Sequence, residues 1–337
     1  MAGQQPIRWG ILGTANIARS SFLPGLRWAE GVPSAVAGRD LARTQRYAAD
    51  NGIERALDGY EALIADDQID AIYNPLPNSL HAEWTIRALQ AGKAVLCEKP
   101  LCLSVEETEA VLNVARESAR PLWEAFVFPW RRQTQRVREI IQSGQIGEIG
   151  EVHSTFTFEL RNRANIRLSP DLGGGALYDV GCYPTLYANM LLDYDPRNGV
   201  AMARWAPEGV DAAMQGVLNF AGERRLLFSC ALDSADDTFT RLLGSEGQIW
   251  LSNAFHPRQH DTLQIHRGTE VETEHPNGEE PSFGPAIAHI GDVLRGEAKP
   301  QHLAIDESLA NARAIDLLLE SAREGRDADA SRRGSST

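Results

Sequence analysis

The sequence predicts two domains of different architecture. The first is an α/β domain on a parallel sheet, covering residues 1–126. The second, 127–337, is built from strands joined by tight turns and closed by a long helix. Three observations carry this. Short apolar runs alternate with helical patterns through the first third, the sequence form of βαβ units. Past residue 126 the pattern becomes strands with alternating faces. The length, 337 residues, suits about two domains at ~100–200 residues each.

Each element has its own signal. Ile7–Leu12 is an apolar strand, and Asn16–Trp28 follows as a helix. Ser34–Ala37 is the second strand, with a helix at Leu41–Asn51 closed by Gly52. Ala71–Tyr73 leads to a helix at Ser79–Gln90 closed by Gly92, and Ala94–Cys97 to one at Ser104–Ser118. Ser104 and Glu107 have the spacing of a capping box. Pro121–Phe126 is a fifth strand, and right-handed crossovers would put helices on both faces of the sheet. Arg131–Ser143 is a helix. Val152–Leu160 alternates strictly, so one face is covered. Further strands are expected at Ala213–Phe220, Arg225–Leu232, Thr238–Leu243, Gln248–Leu251 and Thr262–His266, with turns at 221–223 and 245–247. A helix from Asp306 to Arg323 closes the chain, with Gly325 as a possible cap and 326–337 as a disordered polar tail.

Composition narrows the function. Lys and Arg number 33 against 46 Asp and Glu, a formal charge of -13. This disfavours nucleic acid or an anionic membrane as the main partner. No apolar run approaches the ~18–20 residues of a membrane span. The start of the chain lacks the charged-then-apolar form of a signal peptide. Four cysteines are sparse; Cys97 and Cys102 flank Lys99-Pro100 at a spacing that matches no zinc motif, so no metal is expected. These features describe a reduced, cytoplasmic protein.

Two turns carry the cofactor argument. Where the first strand meets the first helix, Gly13-Thr14-Ala15-Asn16-Ile17-Ala18 reads G-x-A-x-x-A against the dinucleotide fingerprint G-x-G-x-x-G/A. Gly13 permits the tight turn, Ala15 leaves room for a pyrophosphate, and Ala18 allows close helix packing. The helix N-terminus then stabilises phosphate charge. After the second strand an NAD site would carry an acid for the ribose hydroxyl. Here Arg39 takes that region and Arg43 lies one turn on, which favours NADP over NAD. Asp40 is either a ribose ligand or the cap of the next helix.

Two more segments carry chemistry. Glu98-Lys99-Pro100 follows the fourth strand, at the carboxyl edge where such sheets bind ligands. Gly173–Pro184 brings three glycines to Asp179 and Tyr183, which are i and i+4 and share a face if a helix runs on to Leu192, with Tyr187 continuing the stripe. Against these stand plain readings: a solvated loop lysine, a capping Asp and a packed Tyr.

These residues resemble the Gfo/Idh/MocA oxidoreductases. The glycine turn, Asn74-Pro75-Leu76-Pro77-Asn78 with His81, Glu98-Lys99-Pro100, Glu124-Ala125-Phe126 and the Gly173–Tyr183 block stand in family order over nearly the whole chain. Tyr183 after Asp179 is most similar to the dimeric dihydrodiol dehydrogenase and NADP-dependent D-xylose dehydrogenase branch; the inositol dehydrogenase branch usually has His there. Two departures are Ala15 for a glycine, and Phe128-Pro129-Trp130 where many members have a Tyr-Arg pair. The latter segment borders the substrate pocket in the family. The resemblance implies an α/β Rossmann domain followed by an α+β domain with a large, mostly antiparallel open sheet, through which the family often dimerises. It also implies that Asn74, Pro75, Leu76, Asn78, His81, Glu98 and Lys99 line the nicotinamide side.

The expected reaction moves hydride between nicotinamide and a sugar, cyclic polyol or related diol or carbonyl compound, while the protein handles the proton. Tyr183 is the candidate acid/base. Its free pKa of ~10 is too high for a base at neutral pH, and a nearby Lys99 ammonium would favour the phenolate. Alternatively Lys99 acts directly and Tyr183 binds substrate. Asp179 orients Lys99 or a substrate hydroxyl. Lys99 and Tyr183 can meet only if the active site lies between the domains. Arg161, Arg163, Asn165 and Arg167 are candidate sugar contacts or a solvated basic loop. The competing reading is a noncatalytic NADP-binding sensor on the same fold. The retained Lys99, Asp179 and Tyr183 favour the enzyme. Apolar side chains on both faces of Arg225–Leu232 predict a homo-oligomer, a dimer first of all.

Overall fold

The computed structural model describes residues 6–194 and 196–334, those from 326 on as backbone only. The chain forms two compact units. The first comprises Met1–Cys102, Glu106–Arg131 and Glu279–Asp306; the second comprises Leu103–Val105, Arg132–Gly278 and Glu307–Thr337. The expected boundary after 126 therefore misses the return of 279–306 to the first unit.

The first unit holds a six-stranded parallel sheet of β1 (Arg8–Leu12), β2 (Val32–Gly38), β3 (Arg55–Asp58), β4 (Ala71–Asn74), β5 (Ala94–Cys97) and β6 (Leu122–Glu124). Its order, β3-β2-β1-β4-β5-β6, reverses direction at β1/β4, the switch point at which doubly wound sheets bind ligands. β4 and β5 are buried at every position, which is why they read as short continuous apolar runs. β3 was not expected: Arg55–Asp58 has too few apolar residues to stand out. The expected helix from Asn16 opens with a π turn at Ala18–Phe22 before α1 (Leu23–Trp28). The other helices of this unit's first segments are α2 (Leu41–Asn51), α3 (Tyr60–Ile64), α4 (His81–Gln90) and α5 (Val105–Ser118).

The second unit begins with α6 (Arg132–Gln142) and holds a nine-stranded sheet. Its strands are β7 (Ile149–Glu159), β8 (Pro196–Trp205), β9 (Asp211–Phe220), β10 (Arg225–Ala231), β11 (Asp233–Asp237), β12 (Thr240–Gly244), β13 (Gln248–Leu251), β14 (Leu263–Arg267) and β15 (Glu270–Glu274). The order is β15-β14-β13-β12-β7-β10-β9-β8, with β11 also paired to β7. Every pair is antiparallel except β7 with β10. β8, β11 and β15 escaped the sequence reading because each is an exposed or highly polar strand.

A π turn at Leu177–Gly181 leads into α7 (Cys182–Leu191). α8 (Gly284–Leu294) belongs to the returning segment of the first unit, and α9 (Ala304–Gly334) ends the chain. α9 runs through Gly325 and well past the expected stop at Arg323, a stretch that no proline interrupts. The expected disordered tail from 326 is thus helical to 334; residues 335–337 lie outside the described residues. One face of the nine-stranded sheet packs against α9, where Ala201 N–H donates to Ser321 Oγ at 3.1 Å. The opposite face carries Val200 and Met202, 68% and 78% exposed, beside Val217 and Leu227 on the neighbouring strands. Among the described residues no helix is long and apolar enough to cross a membrane.

Candidate active site

In the first unit the cofactor signals converge on the carboxyl end of β1. Gly13 has φ +79°, a conformation a side chain resists, and its N–H donates to Ala37 O at 2.7 Å, tying the turn to β2. Thr14 and Ala15 are half-buried, and Asn16 and Ile17 are exposed. Ala18 is fully buried, as close helix packing requires. The Tyr47 hydroxyl, from α2, donates to Ala15 O at 3.1 Å and so fixes the middle of the turn. Burial raises Tyr47 to about 12, outweighing nearby Arg19.

Past β2, Arg39 and Arg43 are both exposed. Asp40 resolves to the cap: its Oδ1 accepts the Arg43 N–H at 3.0 Å.

The Asn74–Asn78 and Glu98–Pro100 segments are joined by a short chain of contacts. Asn74 is buried, donating to Thr85 Oγ1 at 3.1 Å and accepting the Leu76 N–H at 3.4 Å. Its carbonyl accepts the Glu98 N–H at 2.9 Å. His81 has no exposed surface; Nδ1 lies 2.8 Å from Pro100 O and Nε2 lies 2.7 Å from Leu76 O. Burial pushes its pKa down to about 4 despite those carbonyls, and the Lys99 charge adds to the fall. A neutral ring carries one N–H, so in either tautomer it donates to one of the two carbonyls. Both side chains, Asn74 and His81, are buried and shape these two loops. Pro75 and Leu76 are also buried, and a Cβ on Gly13 would meet Leu76 Cδ2 at 3.1 Å. Asn78, Glu98 and Lys99 are half-buried at the sheet's carboxyl edge. The Tyr73 hydroxyl donates to Glu98 Oε1 at 2.5 Å, and Tyr73 is held far above its ordinary pKa by burial and by that carboxylate. The link from the glycine turn to Lys99 thus runs through Leu76, His81 and Pro100.

In the second unit, the π turn carries Asp179 and the start of α7 carries Tyr183. π turns recur at functional sites, and two among the described residues, at 18–22 and 177–181, open the helices that follow the glycine turn and the Gly173–Gly175 run. Asp179 is nearly buried and its Oδ2 accepts from Arg167 Nε at 2.6 Å. Asn165 Oδ1 accepts the Arg167 N–H at 3.1 Å and so shapes the same loop. Arg163 stands 3.9 Å from Glu208, and Arg161 pairs with Glu159 at 3.0 Å; both are largely exposed. Tyr183 is 6% exposed, its ring among Phe156, Phe255 and His256 with centroids 5.2–5.4 Å away. Tyr187, one turn on, is buried and faces Phe255 edge-on.

The sequence reading missed three participants. Tyr73 and Tyr47 each sit where a buried ring needs a partner for its hydroxyl, a weak but usable signal. Asp211, an acid opening the apolar strand Ala212–Met214, is 2% exposed. Its Oδ2 accepts the Leu177 N–H at 2.7 Å. The segment 128–130 is a 3-10 turn in the first unit, with Trp130 packed against His289 and His302.

Residues 7–126 match the family model described as oxidoreductase family, NAD-binding Rossmann fold, and residues 134–250 match the GFO/IDH/MocA C-terminal domain. A D-xylose 1-dehydrogenase (NADP(+)) from Haloferax volcanii is 34% identical over 94% of this chain and 98% of its own. A dTDP-3,4-didehydro-2,6-dideoxy-alpha-D-glucose 3-reductase from Actinomadura kijaniata is 32% identical over 96% and 98%. A trans-1,2-dihydrobenzene-1,2-diol dehydrogenase from Xenopus laevis is 29% identical over 93% and 97%. The crystal structure of a 3-ketoreductase from Actinomadura kijaniata, in complex with NADP and TDP-benzene, superposes with a TM-score of 0.87 at 31% identity, covering 94% of this chain and 98% of that one. It has also been solved with one tyrosine changed to phenylalanine and with one lysine changed to alanine or glutamate.

Proposed function

The chain belongs to the Gfo/Idh/MocA oxidoreductase family, and from that premise we propose that it is an NADP-dependent dehydrogenase or reductase of a sugar, cyclic polyol or related diol or carbonyl compound. The observation that carries the proposal is the linkage in the first unit. Gly13, Leu76, His81 and Pro100 join the nucleotide turn to the loop bearing Lys99, at the switch-point edge of the sheet. The residues fit the cofactor. A positive-φ glycine and an exposed turn stand at the end of β1, and two exposed guanidinium groups past β2 suit a 2′-phosphate. Relatives whose names specify NADP or whose crystals hold it support the same choice.

When bound, the nicotinamide supplies or accepts the hydride. The protein's own part is the proton. We assign it to Tyr183 and Lys99, with Asp179 and Arg167 orienting the substrate-facing block. The relative's altered lysine and tyrosine are separated by the same number of residues as Lys99 and Tyr183, which supports the assignment. Arg163 and Asn165 are proposed as outer substrate contacts. Glu98, braced by Tyr73, sets the loop that presents Lys99. Asn78 and Pro75 complete the nicotinamide-side loop.

The open face of the nine-stranded sheet, with Val200, Met202, Val217 and Leu227, suits a second copy of the chain, and we propose a homodimer through it. Four buried cysteines, Cys97, Cys102, Cys182 and Cys230, suit a reducing cytoplasm. The test is a panel of aldoses, polyols and diols with NADP, and their carbonyl counterparts with NADPH, read by absorbance of the reduced cofactor. Turnover of at least one class is expected. Tight NADP binding with no turnover across the panel would instead favour the sensor reading.

A further inference from the structure

Asp211 has no part in the chemistry above, yet it sits under the block that carries it. The carboxylate opens β9 and is almost wholly enclosed. Oδ2 accepts the Leu177 N–H at 2.7 Å, and the Ala176 N–H also points to it. These amides open the π turn and α7, the continuous run that carries Asp179 and Tyr183. The sequence makes room for this contact. Gly175, at φ +127°, would place a Cβ 2.2 Å from Asp211 Oδ1, so any side chain there would expel the carboxylate. A second close approach holds the turn to β10, since a Cβ on Gly181 would lie 2.9 Å from Cys230 Sγ. The turn therefore has β10 on one side and the Asp211 carboxylate at its amino end.

We infer that Asp211 is a positioning residue whose carboxylate, held against the Ala176 and Leu177 amides, sets the orientation of Asp179 and Tyr183. The inference rests on the proposed role of Tyr183. Physically, two backbone donors at a helix start are worth most to a full negative charge. Protonation turns one oxygen into a donor and weakens its hold on the amides.

The surroundings leave that protonation within reach of ordinary pH. Burial raises Asp211 to about 7, against the lowering by its amide donors and by Arg323 of α9. The other titratable group facing it is the Cys230 thiol of β10, itself pushed well up by burial and by the Asp211 charge, with Asp179 and Cys182 beyond it. Thus the charged, amide-holding form predominates above about pH 7 and is lost below it.

The experiment follows backbone amide shifts of Leu177, Asp179 and Tyr183 by NMR from pH 5.5 to 8.5, in the full-length parent and in Asp211→Asn. The three amides are expected to move with one shared midpoint in the parent and to lose that transition in the variant. NADP affinity, a property of the first unit, should stay unchanged. In turnover with the panel's most active compound, Asp211→Asn should lower kcat by roughly 10–100-fold at pH 8, the scale of a small misplacement of a reacting group. It should also flatten the acid limb near pH 7 while leaving KM for NADP alone. A Tyr183 amide that stays flat while Leu177 titrates would overturn the inference, as would a variant with the parent's kcat and pH profile. If the variant does not fold, the parent titration decides alone, because separate midpoints for Leu177 and Tyr183 contradict the coupling. Failure of the functional reading is recognised separately: Tyr183→Phe would then turn over at the parent rate, with the amide titration unaffected.

Discussion

Arg167 Nε donates to Asp179 Oδ2 at 2.6 Å, joining the 161–167 loop to the turn that leads to Tyr183. Arg167 is about two-fifths exposed while Asp179 is nearly buried, so the pair stands at a boundary between protein and solvent. Arg167→Ala should leave a nearly buried carboxylate without this partner. Charge-assisted hydrogen bonds are worth about 1.5–3 kcal/mol, less where solvent screens them. A drop of roughly tenfold in kcat/KM for the organic substrate is expected, with NADP affinity intact. Steady-state kinetics with calorimetric titration of NADP checks both; a selective loss of NADP affinity would contradict this placement.

Cofactor choice rests on Arg39 and Arg43. Arg39→Ala should weaken NADP by about tenfold to a hundredfold and leave NAD nearly unchanged, since only NADP offers a 2′-phosphate to the guanidinium. Isothermal titration of both nucleotides measures this. Equal affinity for NADP and NAD in the parent would remove the basis for the assignment.

The pH dependence of stability has two opposed contributions. Asp211 is raised from 3.8 to about 7 in the folded protein, so its stabilising contribution is present below the unfolded pKa and is lost as pH rises toward 7. His81 is lowered from 6.5 to about 4, so its contribution is present above 6.5 and is lost as pH falls toward 4. The melting temperature of Asp211→Asn relative to the parent should therefore rise by a few degrees between pH 5 and 8, on the order expected for a kcal/mol-scale change. Thermal melts at several pH values decide it; a difference that does not vary with pH would mean Asp211 has an ordinary folded pKa.

Assembly is tested at the open sheet face. Met202→Asp places charge beside the exposed Val200 without disturbing the packed face, where Ala201 meets Ser321. The parent should sediment as a dimer at micromolar concentration and the variant as a monomer, with the monomer's far-ultraviolet circular dichroism unchanged. A parent that sediments as a monomer would refute the proposed interface.

Much of this architecture is legible in the sequence, and the exceptions have physical causes. β4 and β5 are read easily because both faces are buried, so every residue is apolar or hydrogen-bonded at a strand end. β3 and β8 are not, because exposed edge strands have no reason to be apolar. The returning segment 279–306 is invisible to a linear reading, since only tertiary packing shows that it joins the first unit. At the site, Lys99, Asp179 and Tyr183 stood out through motif and spacing. His81 stood out too, but motif order cannot show that its ring is buried between two backbone carbonyls. Asp211 was silent because its partners are backbone amides, which leave no side-chain pattern to read.

The central claim is that Lys99 and Tyr183 handle the proton together. Its most direct measurement is single-turnover hydride transfer, with the panel's most active compound, in Lys99→Ala, Tyr183→Phe and the double variant. General acid–base groups typically contribute ~10²–10⁴-fold, so each single variant should lose about that much while still binding NADP. The double variant should lose far less than the product, because groups that act as a unit are not additive. Turnover at the parent rate in Tyr183→Phe would remove the phenol from the chemistry, and full activity in both single variants would contradict the account altogether.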